Sequence, residues 1–204
     1  MHRLLITRPR YEKVTYYLYH WSTGLVSEAN KKCKVFDLKK EKASKKFLES
    51  YLKKQKPEIV ILNGHGNENC VTGHDGEVLI AVGDNTKSLK DCVVYMRACS
   101  AGKILGHEIM KHGAKAFIGY KEPFRFYSKT ESVQHPLEDE YAKPFFETSN
   151  QVGLSLIKGR TAKEAQADSL KLYRKTISNL LTSKTGDLFL FPDLIWNMAH
   201  QVCY

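Results

Sequence analysis

The hydrophobic positions of the first 120 residues follow two alternating patterns, short continuous apolar runs and longer amphipathic stretches. A continuous run bounded by breaking residues is typical of a strand that is buried on both faces. Five segments predict such strands: Leu4–Ile6, Lys34–Leu38, Ile59–Leu62, Cys92–Met96 and Ala114–Tyr120.

Apolar residues that recur every three or four positions predict helices between these strands. The stretches Val14–Ala29 and Ala43–Gln55 show this spacing, and a third helix is expected from Ser100 to Gly113. From Cys70 to Asp84 the pattern alternates and is interrupted by glycines, which predicts a β-hairpin instead of a helix.

This order of strands and helices predicts right-handed crossovers and a mainly parallel sheet with helices on both faces. We therefore expect one α/β domain over residues 1–204, with a hairpin inserted after the third strand. Residues 1–120 would form the core. Residues 121–204 would add an irregular loop over 121–137, a helix through Phe145 and Leu156, a helix opened by the capping box Thr161–Glu164, and a short helix after Pro192.

Composition narrows the class of protein. Hydrophobic residues make up 42% and charged residues 26%, which excludes a disordered chain, a collagen and a coiled coil. No apolar run approaches the roughly 20 residues of a membrane span, and the apolar stretch near the N-terminus is too short for a signal peptide. We therefore expect a cytoplasmic protein with no membrane partner.

Five scattered cysteines without a CxxC motif argue against a disulfide framework and against a structural zinc site. A metal hydrolase would need clustered ligands, and His65, His74, Asp75 and His107 do not form a recognised metal-binding motif. We expect no metal and no cofactor, and nothing in the pattern specifies an oligomeric state.

The net charge of +10 is concentrated in one segment. Between Lys31 and Lys56, eleven lysines accompany only three acidic residues. Such a segment can attract nucleic acid or an anionic surface, but the solvated face of one helix gives the same pattern. A non-catalytic module that binds nucleic acid or an acidic protein through this surface is therefore the alternative function.

Two predicted strands end in residues that can carry chemistry. Asn63-Gly64-His65-Gly66 follows the third strand, and Arg97-Ala98-Cys99-Ser100 follows the next strand of the predicted parallel sheet. If the strands are neighbours, His65 and Cys99 project from the same edge, where ligands bind in open α/β sheets. An imidazole and a helix N-terminus near Cys99 would lower the pKa of its thiol.

The glycines after His65 also allow a different interpretation, a dinucleotide-binding loop. The third glycine of that fingerprint is missing, and the sequence that follows has no helical pattern on which a phosphate could bind. A cofactor-binding loop is therefore not expected here.

The apolar strand followed by Asn63–Gly66, together with the apolar strand followed by Arg97–Gly102, resembles the caspase-like cysteine peptidases of clan CD. The gingipain-like and CHAT-type branches are more similar than the animal caspases. The resemblance covers Leu4 to about Tyr120, and it is only loose over the C-terminal third.

The resemblance implies a caspase-like three-layer α/β/α sandwich and a cysteine endopeptidase that acts on a protein or peptide substrate. It assigns Cys99 as the nucleophile and His65 as the histidine of a Cys–His dyad. The backbones of Gly66 and Cys99 would form the oxyanion hole. In this family the histidine can polarise the carbonyl or protonate the leaving amine, and nucleic acid is not an expected partner.

The same resemblance suggests which residues would contact substrate. Related enzymes often line the first pocket with the residue two positions before the nucleophile, which is Arg97 here. Its guanidinium would favour an acidic residue and repel Lys or Arg, unless it pairs instead with Asp75 or Glu77. The remaining candidate contacts are two residues at the end of the last strand and one in the hairpin: Tyr120, Glu122 and Asp75.

Overall fold

Parallel strands and the helices that connect them make up most of the chain. The computed structural model describes residues 2–182 and 187–204. Within these residues the strands are β1 (His2–Arg8), β2 (Cys33–Lys39), β3 (Ile59–Asn63), β4 (Cys70–Thr72), β5 (Val78–Ala81), β6 (Val93–Arg97), β7 (Ala116–Tyr120) and β8 (Gln201–Cys203). The helices are α1 (Lys13–Trp21), α2 (Thr23–Asn30), α3 (Lys45–Gln55), α4 (Leu105–Lys111), α5 (Lys143–Ile157), α6 (Ala162–Thr182) and α7 (Phe191–His200).

The central sheet has the strand order β2-β1-β3-β6-β7-β8. Its neighbouring strands are parallel except at one edge, where β8 pairs antiparallel with β7. The five apolar runs of the sequence are the five parallel strands, so the predicted α/β class is confirmed. Strand β8 was not predicted, because three residues are too few to show a period.

Apolar side chains of the sheet form one core on each face. On one face Leu48 of α3 and Leu105 of α4 pack against the sheet, together with the β4–β5 hairpin. On the other face Leu25 of α2, Val152 of α5 and Ala165 of α6 pack against it. Helices on both faces of one sheet give the three layers that were predicted.

The predicted hairpin after the third strand is confirmed, since β4 and β5 form a separate antiparallel pair. It folds back tightly against the end of β3. A Cβ atom at Gly64 would lie 1.9 Å from the Thr72 carbonyl oxygen, so only glycine permits this return. The hairpin is thereby fixed beside the residues that follow β3.

Two helix predictions need correction. The helix expected from Val14 to Ala29 is two helices, which separate at Ser22. The helix expected from Ser100 begins only at Leu105, because residues 100–104 form turns and Ser100 has a φ of +56°. A positive φ is incompatible with a right-handed helix, so no helix N-terminus lies at Cys99.

Residues 121–137 contain no helix or strand, as the absence of a period predicted. No helix in residues 2–182 and 187–204 combines the length and the apolar character that crossing a membrane requires.

A buried arginine joins the sheet to the helices on one of its faces. Arg97, the last residue of β6, is 1% exposed, and all five of its N–H donors are used. Nε and Nη2 donate to Asn63 Oδ1 at 3.1 and 2.9 Å, and Nη2 also donates to Ser22 Oγ at 2.7 Å. Nη1 donates to Ser149 Oγ at 3.0 Å and to Asn150 Oδ1 at 2.7 Å. One side chain thus ties β3, β6, α5 and the α1–α2 junction together.

Among the described residues, no carboxylate accepts a hydrogen bond from this guanidinium. Burial of a charge costs several kcal/mol, which here is offset by neutral acceptors and by the Phe146 ring, whose centroid lies 5.4 Å from Arg97 Cζ. Removal of the guanidinium would leave buried acceptors without donors, at about 1–3 kcal/mol each.

We therefore expect Arg97→Lys to lower the free energy of unfolding by about 2 kcal/mol or more. The charge is kept, but an ammonium has three donors and lacks the planar fork that binds all four partners. Urea denaturation measures the loss, and Arg174→Lys, at an exposed position of α6, is the matched control. A loss no larger than that of the control would contradict this role of Arg97.

Candidate active site

His65 and Cys99 follow the ends of two neighbouring parallel strands. Strands β3 and β6 pair in register up to Asn63 opposite Arg97, so each candidate residue lies two positions beyond that last pair. The Gly64 N–H continues the pairing by donating to the Arg97 carbonyl at 3.4 Å. His65 and Cys99 line the same narrow crevice. The structure therefore brings together the two residues that the sequence singled out.

The backbone at Gly66 packs directly against the segment that carries Cys99. A Cβ atom at Gly66 would lie 2.9 Å from the Ala98 Cβ and 3.2 Å from the Cys99 carbonyl oxygen. It would also lie 3.0 Å from the Cys70 carbonyl oxygen, so three neighbours leave no space for a side chain. Glycine at this position allows the two strand ends to approach each other.

Two backbone donors at this edge are unused. The N–H groups of Gly66 and Cys99 donate to no acceptor within residues 2–182 and 187–204. Their neighbours are paired: Asn67 N–H donates to the Cys70 carbonyl and Ser100 N–H to the Glu122 carbonyl. Unused donors beside a nucleophile are what a developing oxyanion requires.

The environment of Cys99 differs from the one expected from the sequence. Burial raises the pKa of its thiol, and the Phe124 backbone amide opposes this shift only in part. The helix that was expected to lower the pKa begins six residues later, at Leu105. Burial thus disfavours the thiolate of Cys99, and the expectation of a lowered pKa is wrong.

A carboxylate that sequence reasoning missed holds the imidazole. Glu12 Oε1 lies 3.1 Å from His65 Nε2, which leaves the other ring nitrogen without a hydrogen-bond partner in the described part of the chain. Glu12 is itself fixed, because its carboxylate accepts from the Thr15 N–H at 2.6 Å and the Val14 N–H at 2.8 Å. A glutamate that caps α1 therefore orients the candidate catalytic histidine.

The available sequence signal for Glu12 was the spacing of Glu12 and Thr15 just before an amphipathic stretch. These residues form a capping box with the usual residue types exchanged, since the glutamate is the N-cap and the threonine lies three positions later. That signal predicts a helix start. It does not predict that β1 pairs with β3, which places the start of α1 beside His65 at the carboxyl edge of the sheet.

The crevice between His65 and Cys99 is almost closed. Its volume is about 20 Å³, and its apolar walls are Val14, Leu18, Phe124 and Phe126. A wider cleft of about 490 Å³ lies next to it, lined by Tyr11, Glu12 and Tyr16 and by residues 133–134. Only the second space has room for a peptide side chain.

Arg97 lines the crevice beside Cys99, but its guanidinium is buried and all of its donors bind other residues. The expected pairing with Asp75 or Glu77 is therefore wrong, and in this structure the guanidinium has no free donor for an acidic side chain of a substrate. Side chains alternate along β6, so Arg97 points with Tyr95 to the face that α5 covers. The spacing in the sequence correctly predicted that Arg97 lies near Cys99, but it could not predict toward which face of the sheet the Arg97 side chain points.

Tyr120 is also not a wall of a substrate subsite. It is 0% exposed, and its hydroxyl lies 3.4 Å from that of Tyr173 and accepts from Gln201 Nε2 at 3.1 Å. Glu122 is half-buried and forms an ion pair with Lys103 at 2.9 Å. This ion pair links the residues after β7 to the turn after Cys99. The carboxylate of Glu122 is therefore already paired, and its contact helps to hold that turn in place.

Asp75 is exposed at the tip of the hairpin, at 3.7 Å from His74 Nε2. Tyr11 connects this tip to the candidate dyad, since its ring centroid lies 5.5 Å from that of His74 and 6.4 Å from that of His65. Asp75 is therefore near the cleft but is not part of its lining.

No group of three or more His, Cys, Asp and Glu side chains in the described ranges is arranged to hold a metal ion. Comparison with known proteins adds no family: neither a family model nor a curated protein matches the sequence.

The ionisation of Glu12 makes stability depend on pH. Burial acts to raise the pKa of Glu12, but hydrogen bonds from Thr15, Val14 and His65 outweigh it, so the pKa is lowered. Its contribution to folding is present above the unfolded pKa of about 4.3 and is lost as the pH falls through the lower folded value.

We expect Glu12→Gln to lower the melting temperature at pH 7 and to have less effect near pH 3. Thermal unfolding from pH 3 to pH 7 measures this difference, with the exposed Glu138→Gln as control. An equal loss at both pH values would show that the carboxylate charge is not what stabilises the cap.

The raised pKa of Cys99 gives a second prediction. In the folded protein, alkylation of Cys99 by iodoacetamide should reach its half-maximal rate at a higher pH than in the same chain unfolded in urea. Peptide mapping by mass spectrometry reports the rate for this thiol alone. A lower midpoint in the folded protein would mean that the thiolate is formed before substrate binds.

Proposed function

We propose that the chain is a cysteine endopeptidase in which Cys99 is the nucleophile and His65 transfers protons. One observation carries the proposal: the unused N–H groups of Gly66 and Cys99 lie at the same strand edge as the thiol and the imidazole. This set supplies a nucleophile, a proton carrier and oxyanion donors, which are the groups that acyl transfer needs. The motifs that resemble caspase-like peptidases stand at these two strand ends.

In the proposed reaction Cys99 Sγ bonds to the peptide carbonyl carbon, and the carbonyl electron pair moves to the oxygen. The negative oxygen is bound by the Gly66 and Cys99 N–H groups. His65 carries the thiol proton to the leaving amine as the C–N bond breaks, which leaves a thioester on Cys99. Water then attacks the thioester, the C–S bond breaks, and a proton returns to Sγ.

The burial of Cys99 bears on the order of these events. Because burial raises the pKa of the Cys99 thiol and so disfavours a free thiolate, the proposed step has the proton leave Sγ as the S–C bond forms. Glu12 orients the imidazole of His65, since its Oε1 lies 3.1 Å from His65 Nε2. The three residues Glu12, His65 and Cys99 would therefore act as one unit.

Substrate entry requires a movement at the crevice. Its volume of about 20 Å³ holds no side chain, and Phe124 and Phe126 form one wall. Both belong to the irregular segment 121–137, which is joined to the sheet edge through Ser100 and Glu122. Displacement of this segment by a peptide or by an activating event is part of the proposal.

The alternative function, a non-catalytic module that binds nucleic acid or an acidic protein through Lys31–Lys56, has less support. Its lysines are divided among the turn before β2, β2, the short 3-10 helix at 40–42, α3 and the residue after α3. Two of them are in ion pairs, Lys31 with Glu28 and Lys45 with Asp84. Binding of this kind would weaken steeply with salt and would not depend on Cys99 or His65.

A diverse peptide library read by mass spectrometry tests the proposal. We expect cuts that disappear in Cys99→Ala and fall at least about 100-fold in His65→Ala, since general acid–base catalysis contributes about that much. Cys203→Ala removes another thiol and should leave the cuts in place.

Cuts that persist in Cys99→Ala would overturn the assignment of the nucleophile. A protein that cleaves nothing, even at high concentration and after limited proteolysis of the 121–137 segment, would favour the binding module.

A further inference from the structure

A second concave site lies at the opposite end of the sheet from Cys99. A cavity of about 450 Å³ opens where β3, β6 and β7 begin. Its lining comes from β1, from the end of α3, and from the loops before β3, β6 and β7. We call it the amino-edge cavity. A space of this size is typical of small-molecule sites.

Positive charge dominates the amino-edge cavity. Five of its lining residues are cations: Arg3, Lys53, Lys56, Lys90 and Lys115. They come from separate segments of the chain, so they surround the space and do not form a stripe along one element. Within the described residues, none of the four lysines forms a salt bridge.

The two acidic residues of the lining offset only part of this positive charge. Glu58 is already bound to His2 at 2.6 Å and to Arg3 at 3.4 Å. Asp91 is exposed and has no salt bridge among the described residues. The lining therefore keeps a net charge of +3 from its five cations and two carboxylates.

The backbone that carries the cations is cross-linked. The Glu58 N–H donates to the Arg3 carbonyl at 2.9 Å, and the Lys115 N–H donates to the Cys92 carbonyl at 2.8 Å. The Asp91 N–H donates to the Gly113 carbonyl at 2.9 Å. These bonds fix the positions from which the charged side chains extend, so the cluster is present before any ligand binds.

The surroundings of Arg3 and Lys90 show how these two cations are held. Arg3 Nε is buried and has no hydrogen-bond partner in the described part of the chain, although a buried donor of this kind costs about 1–3 kcal/mol. The stem of Lys90 lies along Gly113, where a Cβ atom would be 3.3 Å from Lys90 Cγ. An anion in the cavity would reduce the repulsion among the cations.

We infer that the amino-edge cavity binds a small ligand with two or more phosphate groups. Several negative charges match the excess of cations, and the guanidinium of Arg3 provides directed donors for phosphate oxygens. The cations line one local concavity and not an extended groove along the surface, which favours a small polyanion over a nucleic acid strand. This inference does not depend on the proposed peptidase activity.

Calorimetric titration with inorganic tripolyphosphate tests it at low salt. We expect tripolyphosphate to bind at least about tenfold more tightly than monophosphate, with an affinity that falls as salt rises. Lys90→Gln combined with Lys115→Gln should weaken binding at least about tenfold. Lys39→Gln combined with Lys42→Gln removes the same charge outside the cavity and should leave binding unchanged.

Thermal unfolding without ligand checks that the variant is folded. Since the lysines repel one another, the Lys90→Gln and Lys115→Gln pair should not lower the melting temperature. A clear fall would mean that these lysines serve the fold, and it would overturn the inference.

Equal weakening in the control pair would mean that binding follows net charge alone, which also overturns it. So would tighter binding of a single-stranded oligonucleotide whose affinity grows with its length. Absence of tripolyphosphate binding at low salt has the same consequence.

Discussion

The buried guanidinium of Arg97 is the interaction on which the carboxyl edge of the sheet depends. It bonds the end of β6 to Asn63 at the end of β3, and it bonds both strands to α5 and to the α1–α2 junction. A charge in such a place is stable only while every donor is used. This requirement fixes the strands in register where His65 and Cys99 leave the sheet, and it leaves the Arg97 guanidinium without a free donor.

Two further restraints act on the segments that leave this edge. The hairpin returns so closely on β3 that Gly64 has no room for a side chain, and Gly66 lies against Ala98 and Cys99. Glu12, fixed as the cap of α1, holds His65 from the β1 side. The proposed chemistry is thus positioned by backbone contacts and a helix cap. This explains how the N–H groups of Gly66 and Cys99 stay unused.

The parts of this arrangement that could be predicted are those with local patterns. Apolar runs gave the five parallel strands, and the shared edge of β3 and β6 followed from their order. The burial of side chains at the strand ends could not be predicted from the sequence. Arginine and tyrosine often lie at the surface, yet Arg97 and Tyr120 are both buried. The contact between Glu12 and His65 could not be predicted either, because the two residues are 53 positions apart and meet only in the tertiary structure. The late start of α4 depends on a positive φ at Ser100, for which a serine gives no signal.

The two proposed sites occupy opposite ends of the same strands. Strand β3 has five residues, which separates them by about 16 Å. A ligand in the amino-edge cavity could alter chemistry at Cys99 only if it favoured one of two arrangements of the structure between them. The strands themselves offer no second arrangement, because Arg97 binds their far ends with a full set of hydrogen bonds. Segment 121–137 holds no helix or strand and does not line the cavity. A polyanion in the amino-edge cavity would therefore raise the free energy of unfolding, by removing charge repulsion, and we expect it not to alter the crevice between His65 and Cys99.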